Sequence, residues 1–129
     1  MLNLLKSLLF PNLGRKGVSP ETLEKIKQDW QNIEILLKGK SPSQLHKAII
    51  TADKTLDNAL KDMVPGETMG ERLKNAKDKY DRHTYDKIWK AHKLRNKMVH
   101  ETGFEAPYYA IIGAVDDLKM GLQALGVRV

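Results

Sequence analysis

A chain of 129 residues is long enough to bury one helical core and too short for two independent ones. With 41% hydrophobic and 29% charged residues, it is too apolar for a disordered tail and too polar for a membrane bundle. The absence of cysteine excludes disulfides, thiolate zinc sites and cysteine nucleophiles, and suits a reducing cytoplasm; the net charge of +6 tilts partner choice toward nucleic acid or an anionic membrane, although proteins that bind neither also carry such an excess.

The opening "MLNLLKSLLF" is strongly apolar, but its run is far shorter than the roughly 20 residues a spanning helix needs, and no small-residue cleavage site follows it. Neither a transmembrane helix nor a signal peptide is expected. Leu2, Leu5, Leu8 and Leu9 recur at helical spacing, so residues 1–18 read as a short amphipathic helix and its linker, docked on the body or on a partner chain. Contact of residues 2–9 with a membrane surface is the lesser option.

Residues 19–129 read as a single all-helical domain. Ser19 as N-cap and Pro20 at the first helical position open a helix whose stripe is Leu23, Ile26, Trp30, Ile33 and Leu37, ended at Gly39. Ser41 and Pro42 repeat that start, with Gln44 placed to complete a capping box. The second stripe is Leu45, Ile49, Ala52, Leu56, Ala59 or Leu60, and Met63, and Pro65 with Gly66 stop it. Thr68 and Glu71 suggest a second box on a short surface helix with only Met69, Leu73 and Ala76 as apolar contacts.

After a turn near Asp81, a long helix is expected from Thr84 to about Glu101, with Gly103 available for a left-handed cap. A last helix carries Tyr108, Ile112, Val115, Leu118, Leu122 and Leu125 on one stripe. No segment alternates at period two. The expected architecture is an all-α, antiparallel four-helix bundle with one short extra helix and the short N-terminal amphipathic helix.

Chemistry concentrates in "KLRNKMVHETGF", residues 93–104. At about 100° per residue, Ile88, Val99, His92, Tyr85, Asn96 and Trp89 share one arc of the helix from Thr84, read as its buried or interface face. Polar His92 and Asn96 inside that arc each need a partner, a water or a function. A bonded core histidine is the plainer reading of His92. Arg95 and His100 sit on the shoulders, about 140° apart. They can serve one substrate only if the helix loosens near His100 or if a second chain completes the site. Asn96, four residues before His100, is placed to hydrogen-bond it.

Among the other candidates, Lys87, Lys90, Lys93 and Lys97 project away from the arc, and Arg72, Lys74, Lys77 and Lys79 make the short helix basic. The default for such residues is a solvated surface, and the alternative is a track for a phosphate backbone. His46 and His83 read as solvent- or groove-facing. Asp53 and Asp57 read as exposed or paired with Lys54 and Lys61, with Asp53 alternatively approaching the long helix. Trp30 and Trp89 read as core. No histidine and carboxylate spacing matches a metal site, so no metal and no cofactor are expected.

"LRNKMVHE" near the end of a long helix in a small all-α domain resembles the HEPN superfamily, whose motif is an arginine followed a few residues on by a histidine, commonly with a polar residue directly after the arginine. The explicit match covers about eight residues, and the rest is architectural. The resemblance implies a cytoplasmic, metal-independent endoribonuclease or RNA-binding protein of a defence or toxin–antitoxin type, working as a homodimer with its two motifs facing across a cleft. It implies that His100 is the acid/base group, that Arg95 holds the phosphate and that Asn96 orients the site. Arg72, Lys74, Lys77, Lys93 and Lys97 are the expected nucleic-acid contacts. The competing reading is a non-catalytic helical module for dimerisation or partner binding, docking through the N-terminal apolar helix.

Overall fold

The structure is a computed structural model that describes residues 17–129. Every element among the described residues is helical, and there is no strand. The helix expected at Leu2 to Leu9 lies outside the described residues.

The first two helices start where serine and proline place them. Helix α1 spans Pro20–Gly39 and α2 spans Pro42–Met63. The Ser19 hydroxyl accepts the Thr22 N–H, and Ser41 and Gln44 close both halves of a capping box, a device that contributes about 1 kcal/mol to a helix start. Gly39 is the last helical residue of α1, not its left-handed terminator. That conformation falls to Lys40, at φ 59°. A Cβ at position 39 would overlap the Gln44 amide that caps the next helix, so a larger residue there would displace that amide.

Helix α3 is short, Met69–Asn75, and is followed by a single 3₁₀ turn, Lys77–Lys79. Thr68 caps it, but the Glu71 carboxylate reaches past the cap residue to the Glu67 N–H at 2.9 Å. Helix α4 spans Arg82–His100, beginning two residues before Thr84 because the Asp81 carboxylate takes the Thr84 N–H at 2.7 Å and its hydroxyl at 3.1 Å. Helix α5 spans Tyr108–Ala124.

The Ser19 N–H donates to Asp62 at 3.0 Å, so the start of α1 lies at the end of α2 and the two run antiparallel. The Tyr80 hydroxyl donates to the Gly121 carbonyl at 3.0 Å, which brings the approach to α4 alongside the end of α5. Buried apolar residues from all five helices form one cluster, including Ile26 and Ile33 of α1, Leu56 and Leu60 of α2, Leu73 of α3, Ile88 of α4 and Leu118 of α5. A buried polar link joins α1 to α2: Trp30 Nε1 donates to Thr55 Oγ1 at 3.0 Å, and Thr55 donates to the Ala52 carbonyl at 2.7 Å.

Two stripes sit rotated from their expected positions. On α5 the buried line is Ile111, Ala114, Val115, Leu118, Gly121 and Leu122, while Tyr108 is exposed and Ile112 only half-buried. Small residues decide this: a Cβ on Gly121 would lie 2.9 Å from Ile88 Cδ1, so glycine permits the closest approach of α5 to α4. On α4 the buried residues are Ile88, Ala91 and His92, and Val99 stays 41% exposed. The expected arc gave weight to apolar bulk. The true face turns toward Ala91, where the neighbouring helix comes near, and takes in polar groups that have partners.

Thr55→Val should destabilise the protein by about 1–3 kcal/mol, because it leaves the buried Trp30 N–H without an acceptor, whereas Thr55→Ser keeps the hydroxyl and should cost about 0.8 kcal/mol for one methyl group. Denaturant unfolding of the two variants checks the order. At the start of α4, the Thr84 N–H and then its hydroxyl hold the Asp81 carboxyl below its ordinary value, against a small opposing effect of burial. Asp81 therefore supports α4 above the ordinary carboxylate pKa, and that support is lost as pH falls through the lowered value. Hydrogen exchange across residues 82–86 should show this acid-induced fraying in the wild type, and Asp81→Ala should abolish its pH dependence.

Candidate functional site

The site begins on α2 with Asp53, which occupies the buried stripe between Ile49 and Leu56 and is itself almost wholly buried. A carboxylate in such a place costs several kcal/mol unless it is paired and hydrogen-bonded. Its partners come from α4. His92 Nδ1 lies 3.0 and 3.1 Å from the two carboxylate oxygens. Arg95 Nε lies 3.6 Å from Oδ2, a charge contact longer than a hydrogen bond. Consistent with that distance, Arg95 Nε is buried and has no hydrogen-bond partner.

The arrangement continues along α4. Arg95 Nη1 donates to Asn96 Oδ1 at 3.0 Å, and Asn96 Nδ2 lies 3.4 Å from His92 Nε2. Asn96 thus engages His92 and Arg95 rather than His100. The four side chains form one closed group, Asp53 to His92 to Asn96 to Arg95 and back to Asp53. Its mouth is a cleft of about 350 Å³ bordered by Asp53, Lys54, Thr68, Gly70, His92 and Arg95. The Arg95 side chain is 29% exposed there.

Helix α4 stays regular through its last residue, His100, and the Glu101 N–H bonds the Lys97 carbonyl at 2.9 Å. Gly103 adopts the left-handed conformation at φ 79°, but three residues beyond the helix end. The loosening that would turn His100 toward Arg95 is therefore not built into α4. His100 is exposed and lies outside the closed group.

The expected nucleic-acid contacts divide. Lys74 and Lys77 are exposed. Lys93 and Lys97 are exposed too, Lys93 over the Trp89 ring at 5.8 Å and Lys97 over the Phe104 ring at 5.1 Å. Arg72 is different. It is buried, its Nε and Nη2 clasp Asp57 at 2.7 and 3.0 Å, and its Nη1 donates to the Gly66 carbonyl at 2.7 Å. The Asp57 hydrogen bonds raise its pKa. All three of its nitrogens are occupied, so its place in the fold is to pin α3 to α2.

Comparison with protein-family models, curated proteins and solved structures gives no match. The chemistry must therefore be argued from the chain itself.

Two arginines with opposite character stand out. Arg72 has each of its three nitrogens on an intramolecular acceptor. Arg95 makes one hydrogen bond and one charge contact among the described residues, and Nη2 makes none. A guanidinium with Nη2 free and only one of its nitrogens hydrogen-bonded keeps donors that an anion such as a phosphate can take. Among the described residues no group of three or more His, Asp or Glu side chains could hold a metal ion, and no helix is long and apolar enough to cross a membrane.

Sequence reasoning left Asp53 undecided. The signal was present: Asp53 falls four residues after Ile49 and three before Leu56, inside the stripe that α2 buries. His83 is exposed as expected, and His46 lines a groove of about 570 Å³ beside Leu45, Met98, Phe104 and Ile111. Trp30 is buried, while Trp89 is half-buried and stacks edge-on between Tyr85 and His92.

Arg72→Ala should cost roughly 3 kcal/mol, the scale for removing one partner of a largely buried ion pair, while Lys74→Ala on the same helix should stay within about 0.5 kcal/mol. Thermal or denaturant unfolding distinguishes them. Equal effects would mean that the Asp57 clasp does not hold α3.

Proposed function

We propose that the chain is a HEPN-like four-helix bundle that acts on RNA as a homodimer, as a metal-independent endoribonuclease. The observation that carries the reading is the Arg95 guanidinium, braced from behind by buried Asp53 and Asn96 and open toward a cleft. Exposed Lys93 and Lys97 on the same helix add positive charge near it and would attract the backbone of a nucleic acid.

In this reading Arg95 grips the scissile phosphate and the charge that develops on its oxygens. His100 works on protons, because imidazole exchanges them near neutral pH. The partner copy's His100 accepts the proton of the ribose 2′-hydroxyl as that oxygen bonds to phosphorus, and the departing 5′-oxygen takes a proton from water. Arg95 and His100 of one chain diverge on a continuous helix, which is why the proposal needs two copies. Asn96 moves from the role of orienting His100 to that of holding Arg95.

A second reading is supported by the groove beside Leu45, Met98, Phe104 and Ile111 and by Tyr109, which is 77% exposed: a non-catalytic module that docks a protein partner. One experiment separates the two. The full chain is incubated with mixed-sequence RNA in the presence of EDTA, alongside Arg95→Ala and His100→Ala, and each protein's oligomeric state is measured by light scattering. The expected result is cleavage by a dimeric wild type, with each substitution slowing it roughly 100-fold or more. A folded wild type that neither cuts nor binds RNA, or a His100→Ala variant of full activity, would overturn the ribonuclease.

A further inference from the structure

We infer that His92 is a positioning residue that sets the direction of the Asn96 amide and, through it, the aim of the Arg95 guanidinium, with Asp53 fixing which ring nitrogen of His92 accepts. The inference rests on the ribonuclease reading only for what the guanidinium is aimed at. The bracing itself follows from hydrogen-bond chemistry.

Each step has one solution. Arginine can only donate, so the atom of Asn96 that meets Nη1 at 3.0 Å must be the carbonyl oxygen. That leaves the NH₂ of Asn96 facing His92 Nε2 at 3.4 Å. An NH₂ group donates, so Nε2 must be the accepting nitrogen. The ring proton is then on Nδ1, where the Asp53 carboxylate accepts it at 3.0–3.1 Å. Donors and acceptors run in one sense from Asp53 to Arg95, and the buried carboxylate of Asp53 fixes that sense. If Nε2 instead carried a proton, it would face the Asn96 NH₂ donor to donor. The amide would have to turn over, and Nη1 would lose its acceptor.

The same carboxylate closes the circuit through its 3.6 Å contact with Arg95 Nε. Arg95 is thereby held at two points, Nε by charge and Nη1 by the amide, with Nη2 making no hydrogen bond among the described residues. A guanidinium fixed this way needs no reorganisation when a phosphate arrives, which is how preorganised donors contribute to catalysis.

Two isosteres divide the ring's functions. His92→Asn keeps a donor near the Nδ1 position, for Asp53, and removes the acceptor for Asn96. His92→Gln keeps an acceptor near the Nε2 position, for Asn96, and removes the donor to Asp53. If His92 only fills space and satisfies Asp53, stability and activity should fall together, and more in the Gln variant. If it positions Arg95, the orders oppose: His92→Asn should be the more stable protein, with kcat on RNA roughly 10- to 100-fold lower, and His92→Gln the less stable, with kcat within a few-fold of wild type.

A readout that needs no RNA accompanies these. Nitrogen-15 NMR of the full chain should show His92 protonated at Nδ1 and bare at Nε2. The Arg95 side-chain N–H groups should exchange slowly in the wild type and in His92→Gln, and quickly in His92→Asn. A wild-type ring protonated at Nε2, or slow Arg95 exchange in both variants, would overturn the inference. RNA inactivity of the wild type together with the expected NMR pattern would remove the ribonuclease reading and leave the bracing in place.

Discussion

Everything distinctive about α4 depends on one buried carboxylate. Asp53 sits in the apolar stripe of α2, where an unpaired charge would cost several kcal/mol, and His92 and Arg95 are the groups that offset this cost. Apolar packing alone tolerates small rotations and slides between helices. A buried ionic contact of fixed geometry does not, because moving it strands a charge. Asp53 therefore fixes the rotation of α4 about its own axis. That rotation determines that Ala91 faces inward, that Val99 faces outward, and that Arg95 lies along the rim of a cleft.

Two aspartates one turn apart on α2 each hold an arginine from another element, and the comparison separates structure from function. Asp57 engages Arg72 with both carboxylate oxygens, and the Gly66 carbonyl takes up the remaining nitrogen. Both Asp53 oxygens lie against His92 Nδ1 and Oδ2 also faces Arg95, so Arg95 receives a charge contact without a full hydrogen bond. Both arginines are anchored, but only the second keeps nitrogens without an acceptor at a partly exposed side chain. Proximity of basic residues in the sequence could not tell these apart. The decisive quantities are how many of the three guanidinium nitrogens the fold already uses and whether the group is buried.

Signals that lie within a few residues of one another were legible in the sequence. The Ser-Pro starts, the Ser41 and Gln44 box and the stripe of α2 follow from local rules, and the structure bears them out. The rotation of α4 was not legible because it depends on which groups meet Asp53 across the bundle, and that of α5 because it depends on where small residues let another helix approach. Gly121 against Ile88 is a contact between positions far apart in the chain. The start of α4 was misplaced for a local reason: Asp81 and Thr84 both look like caps, and the carboxylate captures the N–H of the other. Of the candidate site, His92 and Asn96 were legible as polar intruders on a packed face and Arg95 as a residue on its shoulder. Their link to α2 was only one of the options left open, since a lone aspartate on a helix that also carries lysines reads equally well as a solvated residue.

The bracing of Arg95 also bears on how many chains an RNA-cleaving site would need. Five residues separate it from His100, about 7.5 Å along the axis and about 140° around it on a continuous helix. A free arginine has the reach to narrow such a gap by swinging its long side chain. Arg95 is not free: Asp53 holds Nε toward α2, and Asn96 holds Nη1. Swinging toward His100 would break both contacts and leave the Asp53 charge with His92 alone. An arginine that must stay on its own carboxylate and a histidine exposed at the helix end can meet one phosphodiester together only if the histidine comes from another copy. On the ribonuclease reading, the feature that readies Arg95 for phosphate is thus also the feature that makes a single chain insufficient.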